Sequence, residues 1–175
     1  APRGRFTFMV LAITTVDQAK SLAYTWMKNH GYDPSEILPC PEDLSFMLQG
    51  KASSGMPFLV IQPKELERSV VAIANVRVTE SSFAALKALS EAERDEFLWN
   101  LKRELMFAPP NFSFDPSYEK TGIPKGVQFS REVYYDELTE GRLAEAVNYA
   151  IRSALWVVWT FRKEFGAPAE AKFVD

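Results

Sequence analysis

The chain has 175 residues, enough to bury roughly 70% of its unfolded surface around one core. Its 47% apolar content, with 13 Phe, 6 Tyr and 4 Trp, excludes disordered and fibrous classes. Twenty Lys and Arg against 23 Asp and Glu give a net charge of −3, and no basic run exceeds two residues, which disfavours nucleic acid as a partner because phosphate binding needs concentrated positive charge.

In chain order, the opening APRGRFTFMVLAITT combines a basic pair with a short apolar run too brief for a membrane span, which needs ~20 residues. Residues 1–14 are expected to be an N-terminal extension, with Met9 as a natural initiator behind a few added residues. Thr15 and Gln18 match a capping box, and Ala19, Leu22, Ala23, Trp26 and Met27 repeat at helical spacing, predicting a helix over 16–29. The proline-bearing stretch from Tyr32 to Asp43 has neither period and reads as a loop. From Leu44 the period changes to two: Leu44, Phe46 and Leu48 alternate with Ser45, Met47 and Gln49. A Gly50–Gly55 turn then leads into Phe58-Leu59-Val60-Ile61, apolar on both faces and so placed centrally in a sheet or near an interface. Val70 to Val78 continues an antiparallel meander.

Helical spacing returns at Phe83, Leu86 and Leu89, and more strongly after Ser90 and Glu93, a second capping box. Phe97, Leu98, Leu101 and Leu105 form the stripe of a helix over 91–107, which Pro109 and Pro110 end. Phe112 and Phe114, then Val127 to Tyr135, predict two more strands around the loop DPSYEKTGIPKG. The last element, Thr139 to Phe165, carries Leu143, Val147, Ala150, Ile151, Ala154, Leu155, Val158, Phe161 and Phe165 on one stripe, with Thr139 as N-cap and Gly166 as stop. These readings define one α+β domain over 15–166, a five-stranded, mainly antiparallel sheet packed with three main helices in the order α-β-β-β-α-β-β-α. Residues 167–175 are a tail.

Catalytic signatures are weak. His30 is the only histidine and stands at a helix end, where the dipole explains it; Cys40, between two prolines, has no histidine near it in sequence. The Gly50–Gly55 turn has phosphate-loop residue types but joins two strands, where Walker A needs a strand and a helix. The pairs Asp136/Glu137 and Glu93/Asp95 are better explained by helix starts than by metal or acid–base work. No cofactor and no metal is expected. The single cysteine forms no internal disulfide and fits a reducing cytoplasm.

On the last helix Tyr149, Trp156 and Trp159 fall on the side opposite the apolar stripe, where a surface helix is normally polar. Either a segment of the same chain covers them or they belong to a protein interface. Elimination leaves a non-enzymatic protein- or peptide-binding module as the leading function. The alternatives are a small-molecule-binding protein or an enzyme using carboxylates or Tyr134/Tyr135, and then a nucleic-acid binder.

The order of helix, three strands, helix, two strands, helix over residues 15–165 resembles the class I type III secretion chaperones and their relatives. The segment Phe97-Leu98-Trp99-Asn100-Leu101-Lys102-Arg103-Glu104-Leu105, followed by Asn111-Phe112-Ser113-Phe114, is similar to a family of uncharacterised archaeal proteins with this fold. The resemblance implies a curved antiparallel sheet backed by helices, a homodimer, and an extended peptide or protein client. It is one of fold and carries no functional residue across.

Overall fold

The computed structural model describes residues 12–166. The expected start at Met9, most of the N-terminal extension and the 167–175 tail lie outside the described residues. The first described core residue is Ile13, 5% exposed, just ahead of helix α1, Val16–Asn29. Thr15 caps α1 by accepting from the Gln18 backbone N–H, and Gln18 Oε1 accepts back from the Thr15 N–H at 3.3 Å, so the capping box is formed.

The sheet has six strands, one more than the sequence reading predicts. These are β1 (Ser35–Glu36), β2 (Leu44–Lys51), β3 (Pro57–Pro63), β4 (Ser69–Arg77), β5 (Asn111–Phe114) and β6 (Gly126–Tyr134), in the spatial order β1-β2-β3-β4-β6-β5, with every neighbouring pair antiparallel. The additional strand is a two-residue pairing of Ser35 and Glu36 with Gln49 and Leu48, inside the stretch read as loop. Two residues carry no periodicity, so only the proximity of β2 could reveal them. Among the described residues there are five helices, two beyond the three main ones predicted. Beside α1 stand α2 (Glu80–Ala88), α3 (Glu91–Met106), α4 (Ser117–Thr121) and α5 (Glu140–Phe165). The helical spacing at Phe83 and Leu86 is α2, capped by Thr79, and α4 is one turn within the loop DPSYEKTGIPKG, ended by Gly122 at φ 66°.

A bulge corrects the alternation of β2. Leu44 pairs with Pro63 and Phe46 with Gln62, so Ser45 is the extra residue and Leu44 turns away from the face holding Phe46 and Leu48. It joins a second apolar cluster on the helix-free face, where Leu59, Ile61, Val71 and Ile73 pack with Ile37, Met47 and Leu66. Both faces of β3 are thereby buried, as its continuous apolar run required. At the hairpin, a Cβ on Gly50 would lie 2.6 Å from the Phe58 ring and 2.8 Å from the Met27 methyl, so a side chain there would have to push both aside where the strand passes beneath α1.

The other face carries the main core. α5 lies across β4 and β6, and α1 lies over β2 and against α5. Small residues meet where α5 crosses the sheet: Ala72 and Ala74 of β4, and Ala146, Ala150 and Ala154 of α5, are all within 1% of full burial. With no long side chain between them, helix and sheet approach closely. α3 packs along the flank of α5 through Leu98, Leu101 and Leu105, while the Phe97 ring meets Phe161 and Phe165 edge-on at 5.3 Å.

One polar cluster is buried within this frame. Tyr135 donates its hydroxyl to Gln62 Oε1 at 2.5 Å, and Gln62 Nε2 donates to the carbonyls of Leu66 and Glu67 at 3.2 Å, tying the β3–β4 turn to the end of β6.

Phe161 is fully buried between α3 and the sheet, so Phe161→Ala should lower unfolding stability by about 3–5 kcal/mol, read from urea midpoints at constant slope. A second outcome is set by Tyr135. Burial pushes its phenol above the ordinary value near 10, opposed by the Gln62 hydrogen bond and the Arg68 guanidinium. A raised folded value means that the protonated form is favoured on folding. Its contribution is complete below pH ~10 and is lost as pH rises through the folded value. Denaturant midpoints should therefore fall as pH rises above ~10, more steeply in the native chain than in Tyr135→Phe; equal slopes would remove Tyr135 from the account.

Candidate functional site

The helix faces that do not meet the sheet define a groove. Along α5, Tyr149, Arg152, Ser153, Trp156, Thr160 and Lys163 recur every three or four residues and so line one side of the helix. Along α3, Glu93, Phe97, Asn100 and Glu104 do the same. The helices run antiparallel, with Phe97 beside Phe161 and the Leu105–Pro109 end beside Tyr149, so the two stripes become the walls of one groove.

The groove has two lobes that share Glu104 and Trp156. The first, of about 470 Å³, is bounded by Leu105, Ala108, Pro109, Tyr149, Leu155, Trp156 and Trp159 and is mainly apolar. The second, of about 440 Å³, lies between the start of α3 and the end of α5 and is lined by Glu93, Glu96, Asn100, Thr160, Lys163 and Glu164 around Phe97 and Leu101.

All three residues singled out from the sequence meet in the first lobe. Trp156 is 45% exposed and Trp159 58%, whereas Tyr149 is half-buried. The opposing wall comes from the end of α3 and the turn after it.

Arg131 fixes that end of the groove. It is the one charged residue among the inward positions of β6, beside Val127, Phe129 and Val133, and it stands opposite Ala72. Its guanidinium lies 5.1 Å from the centre of the Tyr149 ring and donates from Nη1 to the Pro109 carbonyl at 3.0 Å. One side chain thus ties β6, α5 and the turn after α3. A cation on an otherwise apolar strand face is visible in the sequence and needs a partner; the partner's identity is not.

A further exposed set belongs to α3 and its C-cap, on the side of the helix away from the groove wall: Trp99 is 67% exposed, Met106 71% and Phe107 86%. Trp99 and Met106 stand off the Leu98, Leu101 and Leu105 stripe, and that displacement is the sequence signal for them.

The remaining candidates are dispersed. His30 follows α1, with Nε2 3.5 Å from Glu140 Oε1, and stacks on Tyr32 at 5.7 Å. Cys40 is half-buried, its Sγ 3.7 Å from the Leu44 carbonyl. Tyr134, the last residue of β6, is exposed, whereas Tyr135 just after it is buried against Gln62, so the two phenols point to opposite sides. Asp136 pairs with Arg68 at 3.0 Å, and Glu93 is the capping carboxylate of α3, accepting from the Ser90 hydroxyl at 2.6 Å; that bond holds its carboxyl below the usual range. Among the described residues no three His, Cys, Asp or Glu gather in a way that could hold a metal ion, and no helix is long and apolar enough to cross a membrane.

The fold has solved counterparts. An uncharacterized protein from Methanothermobacter thermautotrophicus is similar to this chain with a TM-score of 0.76 and 21% identity, over 85% of this chain and 99% of that one. A chain of the ExsC–ExsE complex is similar with a TM-score of 0.51 and 13% identity, over 82% and 94%. The Yersinia pestis type III secretion chaperone SycH, in complex with a stable fragment of YscM2, gives 0.48 and 11%, over 79% and 98%. At these identities the likeness is one of fold. Comparison with curated proteins gives no match. A family model matches residues 19–161, the span from α1 through most of α5, and the chain belongs to that family of uncharacterized conserved proteins, DUF2299.

Proposed function

We propose that this chain is a chaperone-like module that binds another polypeptide, and that the groove between α3 and α5 is its binding surface. The observation that carries this reading is the pair of exposed indoles, Trp156 and Trp159, set with Tyr149 in a groove floored by Leu105 and open to solvent. Trp and Tyr bury about 150–250 Å² each, and their contact area costs little conformational entropy, which is why such rings dominate protein interfaces. Arg131 and the Pro109 turn hold the apolar lobe open before any partner arrives, and a preformed surface lowers the ordering cost of binding. The fold supports the reading at a coarser level, since ExsC, which shares it, is found in a complex with ExsE. Dispersed titratable groups weigh against the alternative of a carboxylate- or tyrosine-dependent enzyme. The negative net charge weighs against nucleic acid. The free thiol of Cys40 supports placing the protein in the cytoplasm.

A second reading is that the partner is another copy of the chain. Trp99 and Met106 of α3 and Phe107 at its C-cap leave large apolar side chains exposed, which a two-fold pairing of chains would cover.

Two measurements check these readings. With a photo-crosslinking phenylalanine analogue in place of Trp156, in the cells that encode this chain, light should join the protein to a discrete polypeptide; the same analogue at exposed Ser53 should not. Equal yields at the two positions would sink the groove as a binding surface. Light scattering on the native chain at micromolar concentration should give twice the monomer mass, and Trp156→Ser with Trp159→Ser should return it to monomer with unchanged circular dichroism. A native monomer would end the homodimer reading, and a dimer that survives both substitutions would move its interface elsewhere.

A further inference from the structure

The groove is polarised, and its polarity describes the occupant. Its aromatic lobe holds one carboxylate, Glu104, and one guanidinium, Arg152. The other lobe holds four carboxylates, of Glu93, Glu96, Glu104 and Glu164, against the single ammonium of Lys163. Glu93 is committed to the Ser90 cap of α3, but little inside the protein neutralises the other three. Glu104 has only a 3.7 Å contact with Arg103, and among the described residues no Lys or Arg nitrogen comes within 4 Å of the Glu96 or Glu164 carboxylates. The walls are built from Phe97 and Leu101, and Glu93, Glu96 and Glu164 are exposed around them, where a basic partner can reach them. The two seats are roughly ten helical residues apart along α5, about 15 Å at the α-helical rise. An extended chain covers that distance in four or five residues.

We infer that the groove takes a polypeptide segment with one large apolar side chain for the Tyr149/Trp156/Trp159 lobe and, about 15 Å along, Lys or Arg for the Glu93/Glu96/Glu164 lobe. This rests on the protein-binding reading and adds the partner's chemistry to it. The anchor supplies most of the affinity through burial, and the basic end sets direction and excludes acidic segments, because like charges facing one another are repelled.

The test is a selection of random twelve-residue peptides displayed on phage against the immobilised full chain. The selected peptides are then synthesised and measured by fluorescence anisotropy at low and high salt. The expected peptides carry one aromatic or large aliphatic residue and an excess of Lys and Arg at one side of it, and raising the salt should weaken them. Trp156→Ala should abolish their binding. Glu96→Lys with Glu164→Lys, both exposed positions that leave the core untouched, should weaken basic peptides about tenfold and improve their Glu-substituted counterparts, as two reversed surface charge pairs would. Circular dichroism of each variant shows that the fold is kept. Peptides that need Trp156 but are neutral or acidic, or that ignore the charge reversal, would overturn the inference and leave the binding groove standing. A selection that yields no peptide, or only peptides indifferent to Trp156→Ala, would overturn both.

Discussion

The close seat of α5 on β4 and β6 is the contact on which the rest of the molecule depends. Alanines meet alanines there, Ala72 and Ala74 below and Ala146, Ala150 and Ala154 above, so the helix sinks toward the sheet while larger residues on either side, Phe129, Leu143, Val147 and Phe161, fill the flanks. A larger side chain at any of these alanines would lift the helix and disturb every contact made from it, because a close-packed interior has no spare volume. α1 and α3 both take their positions from α5.

That seat also creates the groove. α5 meets the sheet on one side, α1 and α2 along its flanks, and Leu98, Leu101 and Leu105 of α3 on an adjacent side. The side with Tyr149, Trp156 and Trp159 is left with a partial wall from the end of α3. Arg131 then links the sheet to two residues that line the aromatic lobe, lying against the Tyr149 ring and donating to the Pro109 carbonyl. The binding surface is therefore a consequence of how the core closes and needs no separate scaffold.

The helix-free face of the sheet obeys a different rule. Leu59, Ile61, Val71 and Ile73 are each no more than 9% exposed although none of the described helices joins their cluster. Side chains from the neighbouring strand and from the loops at both ends, Met47, Leu44, Ile37 and Leu66, close over the cluster. Gln62 and Tyr135 secure one of those loops from the other face through their shared hydrogen bond and the two carbonyls that Gln62 satisfies.

The sequence by itself determined the elements whose signal is local. Hydrophobic periodicity and capping chemistry act within one turn or one strand, so α1, α3, α5 and the longer strands were legible from Thr15, Gln18, Ser90, Glu93, Thr139 and the residues between them. It also marked Tyr149, Trp156 and Trp159 as out of place on their helix. Tertiary structure alone decided what depends on distant partners. β1 exists because β2 passes beside it, and Leu44 changes face because a bulge offsets it from Pro63. The second wall of the groove comes from residues some fifty positions away from the first, Glu104 to Pro109, and the cation beneath it from Arg131. Neither wall carries a motif, because a groove is a property of two packed helices, and the pattern on one helix is silent about what stands across from it.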